Sequence, residues 1–299
     1  MTNSSIRAFS KKLIPISAYP TTIFLGYFSF YFFQNVGIHV TISAYLAISL
    51  AALLITVHEL ILPYRGTWKP KFGEIKSDIL FLILVQVGLP FLLAASIVVY
   101  AAENLKTGGW ALENIWPHEW PLAFQVVLML ILAEFPRYWL HRSFHKFSAM
   151  WQFHAVHHSP HKLYWLNVGR FHPVDKAAQF LFDALPFALV GLAPEVLAAY
   201  LVFYAINGFY QHSNCLLHLG WLNYLISGPE LHRWHHSIKA SESDHNFGNN
   251  LIIFDLIFGT RYLPNDRQVG ALGLINRDYP RGFLPQMKTP FDYGLDKRK

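Results

Sequence analysis

Forty-five consecutive positions, Leu13 to Val57, carry no Asp, Glu, Lys or Arg, and neither do the 24 from Ile79 to Ala102. Charged residues make up 14% of the 299-residue chain, against about a quarter in soluble domains. Such runs exclude an ordinary soluble domain, because about 20 apolar residues suffice to cross a bilayer. Cysteine is nearly absent too. With Cys215 alone, the chain can form no internal disulfide and hold no iron–sulfur cluster. Acids are scarcer than bases, 18 against 24, for a net charge of +6. The bases flank the apolar runs instead of forming a patch, which argues for membrane borders and against a nucleic-acid partner.

The first run is long enough for two spans, about 18–36 and 38–57, with a turn near Gln34–Gly37. The second is one span, about 79–102, and a fourth starts near Pro121 and runs toward His141. The uncharged stretch is too long for a cleavable signal peptide. Arg7, Lys11 and Lys12 precede the first span, and Arg65, Lys69, Lys71 and Lys76 lie in the polar loop His58–Asp78. The 103–120 loop instead carries Glu103, Glu113 and Glu119 against Lys106. Positive residues mark the cytoplasmic side, so both termini and everything near His141 are expected there. An interrupted apolar stretch, Ala177 to Tyr210, reads as two short helices that dip into the membrane and return. The expected architecture is an all-α membrane bundle. Residues 1–120 form its transmembrane region, 121–262 a catalytic domain, and 263–299 a polar tail covering the cytoplasmic face.

What the chain has in abundance is histidine. Twelve of its 16 histidines lie between positions 141 and 236. His141 and His145 are spaced i, i+4, so they share a helix face. His154, His157 and His158 place i, i+3 and i+4 on one side of a turn, and His232, His235 and His236 repeat that spacing. His172 and His212 stand singly between these groups. A lone histidine is usually a surface or satisfied core residue, and His39, His58 and His118 receive that reading. Three clusters on one membrane face read as metal ligands. Imidazole suits Zn, Cu, Fe and Ni. Eight clustered histidines exceed one zinc site, and ten give five each for two metals, which suits six-coordinate iron with an open position. Spacing leaves two zincs open.

In this order the clusters, followed by Asn246-Phe247-Gly248-Asn249-Asn250-Leu251 and Phe254-Asp255-Leu256-Ile257-Phe258-Gly259-Thr260, resemble the fatty acid hydroxylase and sterol desaturase superfamily over about residues 125–262. The resemblance implies an O2-dependent di-iron membrane enzyme acting on a lipid. Its implied ligands are His141, His145, His154, His157, His158, His212, His232, His235 and His236. Fatty acid 2-hydroxylases carry a further histidine where this chain has Gly208, and they lack one at His172. His172 is therefore expected as the tenth ligand, and the sterol desaturase and bacterial hydroxylase branches are the better match. No fused cytochrome b5 region is evident. A separate reductase with a cytochrome b5-like or ferredoxin-like carrier is then expected as electron donor, in a bacterial inner membrane or the endoplasmic reticulum.

Four carboxylates are expected to orient ligand imidazoles: Glu134, Asp175, Glu230 and Asp244. Arg137 and Arg170 read as markers of the membrane interface, and Trp151, Tyr164, Trp165 and Trp234 as interfacial anchors. Hydroxylation is the first expectation and desaturation the second. A bis-His heme electron-transfer protein would carry its histidines within the spans. A metal transporter would spread ionisable residues along a midplane path, which the first three spans lack.

Overall fold

A computed structural model describes residues 3–98 and 115–292. Among these there are helices and isolated bridges but no strands. Four helices are long and apolar enough to cross a membrane. α1 (Asn3–Asn35) contains the span Lys12–Asn35, and α2 (Val40–Ile61), α3 (Phe72–Ser96) and α4 (Leu122–Lys146) are the others. The acidic loop expected at 103–120 lies mostly outside the described residues.

α1 and α2 form a hairpin. Its turn falls at Gly37, whose φ of +85° is a conformation that costs glycine little. His39 precedes α2 and its Nδ1 accepts from the Thr41 N–H at 3.3 Å, a capping role. α2 buries Ala44, Ala47, Ala51 and Ile55 along one stripe, small residues that let helices approach closely. The opposite faces expose Phe24, Phe28, Leu53, Leu60, Ile83 and Phe91. In water that pattern would be an aggregation surface; in lipid it is the expected exterior.

The stretch expected as a polar loop between the second and third spans is mostly helical. α2 runs to Ile61, and α3 already begins at Phe72, where Glu74 accepts from the Lys71 N–H at 2.6 Å and caps the first turn. α3 then winds through wider π turns over Phe81–Gly88. The stretch expected as two helices is three: α6 (Pro173–Asp183), α7 (Leu185–Leu189) and α8 (Pro194–His212). α8 buries Val196, Ala199, Val202 and Ile206 in the same apolar cluster as α1, α2 and α4.

The remaining helices cap one end of this bundle. α5 (Ser148–His158) turns back directly from the end of α4, and α9 (Pro229–His235), α10 (Ala240–Ser243) and α11 (Ile253–Ile257) follow α8. The segment after 263 lies over the cap through Leu272, Leu274 and Tyr279, and includes α12 (Phe283–Lys288). The Gly273 N–H donates to the His236 carbonyl at 3.1 Å.

Candidate metal centre

Four chain reversals bring the histidine clusters together. α4 ends with His141 and His145 on one face. α5 folds back and lays His154, His157 and His158 against them. α8 ends at His212, and α9 carries His232 and His235 with His236 just past its end. The result is two adjacent groups. His141, His145, His154, His158 and His235 form one, and His157, His212, His232 and His236 the other; within each, the ligand atoms all lie within 4.8 Å of one another. The His158 and His236 rings stack at 4.4 Å between the groups. All nine are buried except His141, which is half-buried.

Most rings are held through Nδ1. His154 Nδ1 donates to Asp175 at 2.8 Å, His145 Nδ1 faces Asp244 at 3.1 Å, and His212 Nδ1 donates to Asn167 Oδ1 at 2.8 Å. Backbone carbonyls accept from three more: Phe247 from His141 at 2.8 Å, His245 from His235 at 2.8 Å, and Arg170 from His157 at 3.3 Å. A proton on Nδ1 leaves the Nε2 lone pair free, which is how supporting groups fix a ligand tautomer. Burial, and then the neighbouring histidines, hold His157, His158, His232, His235 and His236 well below the ordinary histidine value. His212 is pushed down to about 3 by burial and then Arg170. Neutral imidazole is the metal-binding form.

This donor set fits metal ions. With both Nδ1 protons directed elsewhere, His141 and His154 present bare Nε2 atoms to each other at 3.1 Å. The Nε2 atoms of His145 and His158 also lie 3.1 Å apart and those of His232 and His236 3.0 Å, pairs in which either nitrogen can carry the proton. Two facing acceptors repel unless a cation lies between their lone pairs. Metal–imidazole bonds of about 2.1 Å at a right angle put neighbouring nitrogens about 3.0 Å apart. His212 Nε2 and His235 Nε2 are buried without a hydrogen-bond partner, a cost of about 1–3 kcal/mol each that a bound cation removes.

The structure does not bring His172 to either group. It caps α6: its Nδ1 accepts from the Val174 N–H at 3.2 Å, and its Nε2–H donates to the Met287 carbonyl at 3.3 Å. The proline after it starts the helix there, so both ring nitrogens serve the backbone. Two of the four expected carboxylates, Asp175 and Asp244, do meet ligand-type imidazoles. Glu230 does not; it accepts from the Leu219 N–H at 2.7 Å and Asn223 Nδ2 at 2.8 Å. Glu134 touches no histidine but accepts from the backbone of 249–251. The carbonyls of Arg170, His245 and Phe247 were invisible to a reading of side chains. Asn167, two residues past Trp165, carried no spacing signal.

The residues expected at the membrane interface are mostly interior. Arg170 pairs with Asp78, which also accepts from the Tyr164 hydroxyl, and so anchors the turn that carries Asn167. Arg137 pairs with Asp183 at 3.4 Å. Trp151 packs on the His145 and His158 rings at 5.3 and 5.2 Å, and Trp234 packs edge-on to Tyr262. Trp165 is half-buried against Phe209. The two arginines are buried, each beside a carboxylate, as buried charges persist only when paired.

The comparisons agree with this geometry. The family described as fatty acid hydroxylase matches residues 126–260, which contain all nine histidines. Over 249 residues the chain is 34% identical to an ornithine lipid hydroxylase of Rhizobium tropici, covering 80% of this chain and 72% of that protein. It is 31% identical to human alkylglycerol monooxygenase over 58% of this chain, but spans only 37% of that longer protein. A methylsterol monooxygenase of Arabidopsis thaliana is 27% identical over 46% of each chain. No solved structure matches. Histidine spacing, paired donor groups and extended likeness together place this chain in the fatty acid hydroxylase and sterol desaturase superfamily.

Proposed function

We propose that the chain is an O2-dependent lipid hydroxylase with two irons, one in the five-histidine group and one in the four-histidine group. The observation that carries the reading is the pair of groups itself: nine imidazoles arranged so that each set leaves a six-coordinate ion at least one open position. The five-histidine group holds one nitrogen more than a zinc site's usual four ligands. The relatives' names, a lipid hydroxylase and two monooxygenases of lipid-like substrates, point the same way.

With irons bound, the site supplies the redox chemistry that activates O2 against an unactivated C–H bond. The chain supplies position and dryness. Asp175, Asp244, Asn167 and three carbonyls keep protons on Nδ1 and lone pairs on Nε2. Trp151 and Phe171 cover the rings; Phe171 stacks on His157 at 4.1 Å. Hydroxylation balances as RH + O2 + two electrons + two protons giving ROH and water. The two electrons come from a separate reductase and carrier of the cytochrome b5 or ferredoxin class. Desaturation, the second reading, draws on the same site and the same two electrons but releases two waters and an alkene; the superfamily's sterol desaturases favour it. The bundle spans a bacterial inner membrane or endoplasmic reticulum four times, with the histidines and both termini on the cytoplasmic side and α6–α8 dipping in from that side.

Mass spectrometry of membrane lipids, with and without the gene, tests the reaction. A lipid gaining 16 mass units means hydroxylation and a loss of 2 means desaturation; both must vanish under argon. Purified active protein should hold about two irons per chain. No mass shift in any lipid, or activity with zinc alone, sinks the proposal.

A further inference from the structure

Glu134 and Asp255 meet no histidine and stand at opposite ends of the catalytic stretch, yet they converge on one turn. That turn, residues 245–251, offers five consecutive backbone N–H groups to two buried carboxylates. Asp255 Oδ1 accepts from Phe247 N–H at 2.8 Å and Oδ2 from Gly248 N–H at 2.7 Å. Glu134 accepts from Asn249, from Asn250 at 2.8 Å and from Leu251 at 3.0 Å. Asp255 is fully buried and Glu134 is 1% exposed. Hydrogen bonds to an ionised acceptor are about twice as strong as neutral ones, and a buried carboxylate persists only when so satisfied. The turn is thus held by a hydrogen-bonded carboxyl group on each flank.

The other side of the same turn faces the metal centre. Its carbonyls at His245 and Phe247 accept the Nδ1 protons of His235 and His141, each at 2.8 Å. These are two of the five donors of one group, and none of the other. The turn is also too tight to relax. A Cβ on Gly248 would lie 2.2 Å from the Leu251 carbonyl and 3.1 Å from Asp255 Oδ2. Asn246 takes φ of +57° and ties itself to Leu231 and Tyr262 through its side chain. Arg137 Nη2 adds a bond to Asn249 Oδ1 at 3.1 Å.

We infer that Glu134 and Asp255 are positioning residues for the five-histidine group alone, acting through the 245–251 turn, whose carbonyls fix the tautomer and aim of His141 and His235. In Glu134→Gln or Asp255→Asn, one acceptor oxygen becomes an amide donor facing a backbone donor. The turn shifts, and the two Nδ1–H bonds loosen. In the four-histidine group, His212 and His157 are oriented by Asn167 and the Arg170 carbonyl, which share no contact with this turn.

The inference rests on the two-iron reading, and one experiment separates the two. Ferrous iron is titrated anaerobically into, and chelated from, the purified full-length chain. Outer partners of metal ligands are worth about 10–100-fold in affinity. Glu134→Gln and Asp255→Asn should therefore weaken one iron by about that factor and leave the other unchanged. Gly248→Ala, which disturbs the turn while keeping both carboxylates, should do the same. Phe30→Ala, a cavity among the spans, should lower the melting temperature with both irons held as before. In a His232→Ala background, which removes a donor from the four-histidine group, Glu134→Gln should leave no tightly held iron. Two irons held as tightly as in the unaltered protein, or both weakened alike in step with melting temperature, overturn the inference. An unaltered chain that holds fewer than two irons overturns the two-iron reading first, and this inference with it.

Discussion

Lowering the pH should unfold the metal-free chain through its own histidines. The six imidazoles of His157, His158, His212, His232, His235 and His236 are kept neutral by burial. Unfolded, each titrates near about 6.5. Above that value both states are neutral and nothing is gained or lost. Below it the unfolded chain takes up protons that the folded chain refuses, so stability falls with pH and continues to fall until the folded values are reached. At pH 5.5 each histidine favours the unfolded state by about 1.4 kcal/mol. Six together give about 8 kcal/mol, a sum comparable with the whole stability of a typical domain, about 5–15 kcal/mol. Asp255, whose carboxyl burial pushes up, takes up its proton earlier when folded and acts in the opposite direction. At about 2–4 °C per kcal/mol, the melting temperature should drop by about 15–30 °C between pH 7.5 and 5.5. The assay is thermal melting of chelator-stripped protein in detergent, with iron-loaded protein as the comparison. Bound iron competes with the same protons, so the loaded chain should melt higher throughout and release iron over the same window. A metal-free melting temperature that stays within about 5 °C, or rises, would refute the claim that these rings are held neutral by burial.

Asp175→Asn keeps the shape but offers a donor where His154 and Gln179 both need an acceptor; one iron should weaken by about 10–100-fold, read by chelator competition. His172→Ala should retain both irons and lose only about 1 kcal/mol of helix capping, measured by melting; loss of an iron would restore His172 as a ligand. Reporter fusions at the C-terminus should report cytoplasm, and a tag inserted at Gly108 should be labelled from outside; the reverse pattern refutes the orientation.

The histidine clusters were legible because their chemistry is periodic. Spacings of 3 and 4 fix which side chains share a helix face, and the structure brings all three clusters to one place, though it splits two of them between the two groups. The four spans were legible because a bilayer demands about 20 uncharged residues in a row, whatever they pack against. The helix ends were read less well: Lys71, Glu74 and Lys76 look like loop residues by charge, yet Glu74 caps the turn that starts α3. Single residues without periodicity were read unevenly. His172 and His212 look equivalent in the sequence, but one precedes a proline and caps a helix while the other ends one beside Asn167. Trp151, Tyr164 and Arg170 have interfacial composition and interior positions.

Composition and local spacing by themselves determined that this chain is helical, with helices long and apolar enough to cross a membrane and histidines spaced to hold metal. Those properties depend on neighbours within a few residues. Only the tertiary structure decided how nine of the histidines divide into five and four. It decided too which carboxylate meets which ring, and that Glu134 and Asp255, 121 positions apart in sequence, share one turn. Such partnerships involve backbone carbonyls and N–H groups, which every residue carries alike. Nothing in a residue's identity marks the ones that the fold will bring to the metals.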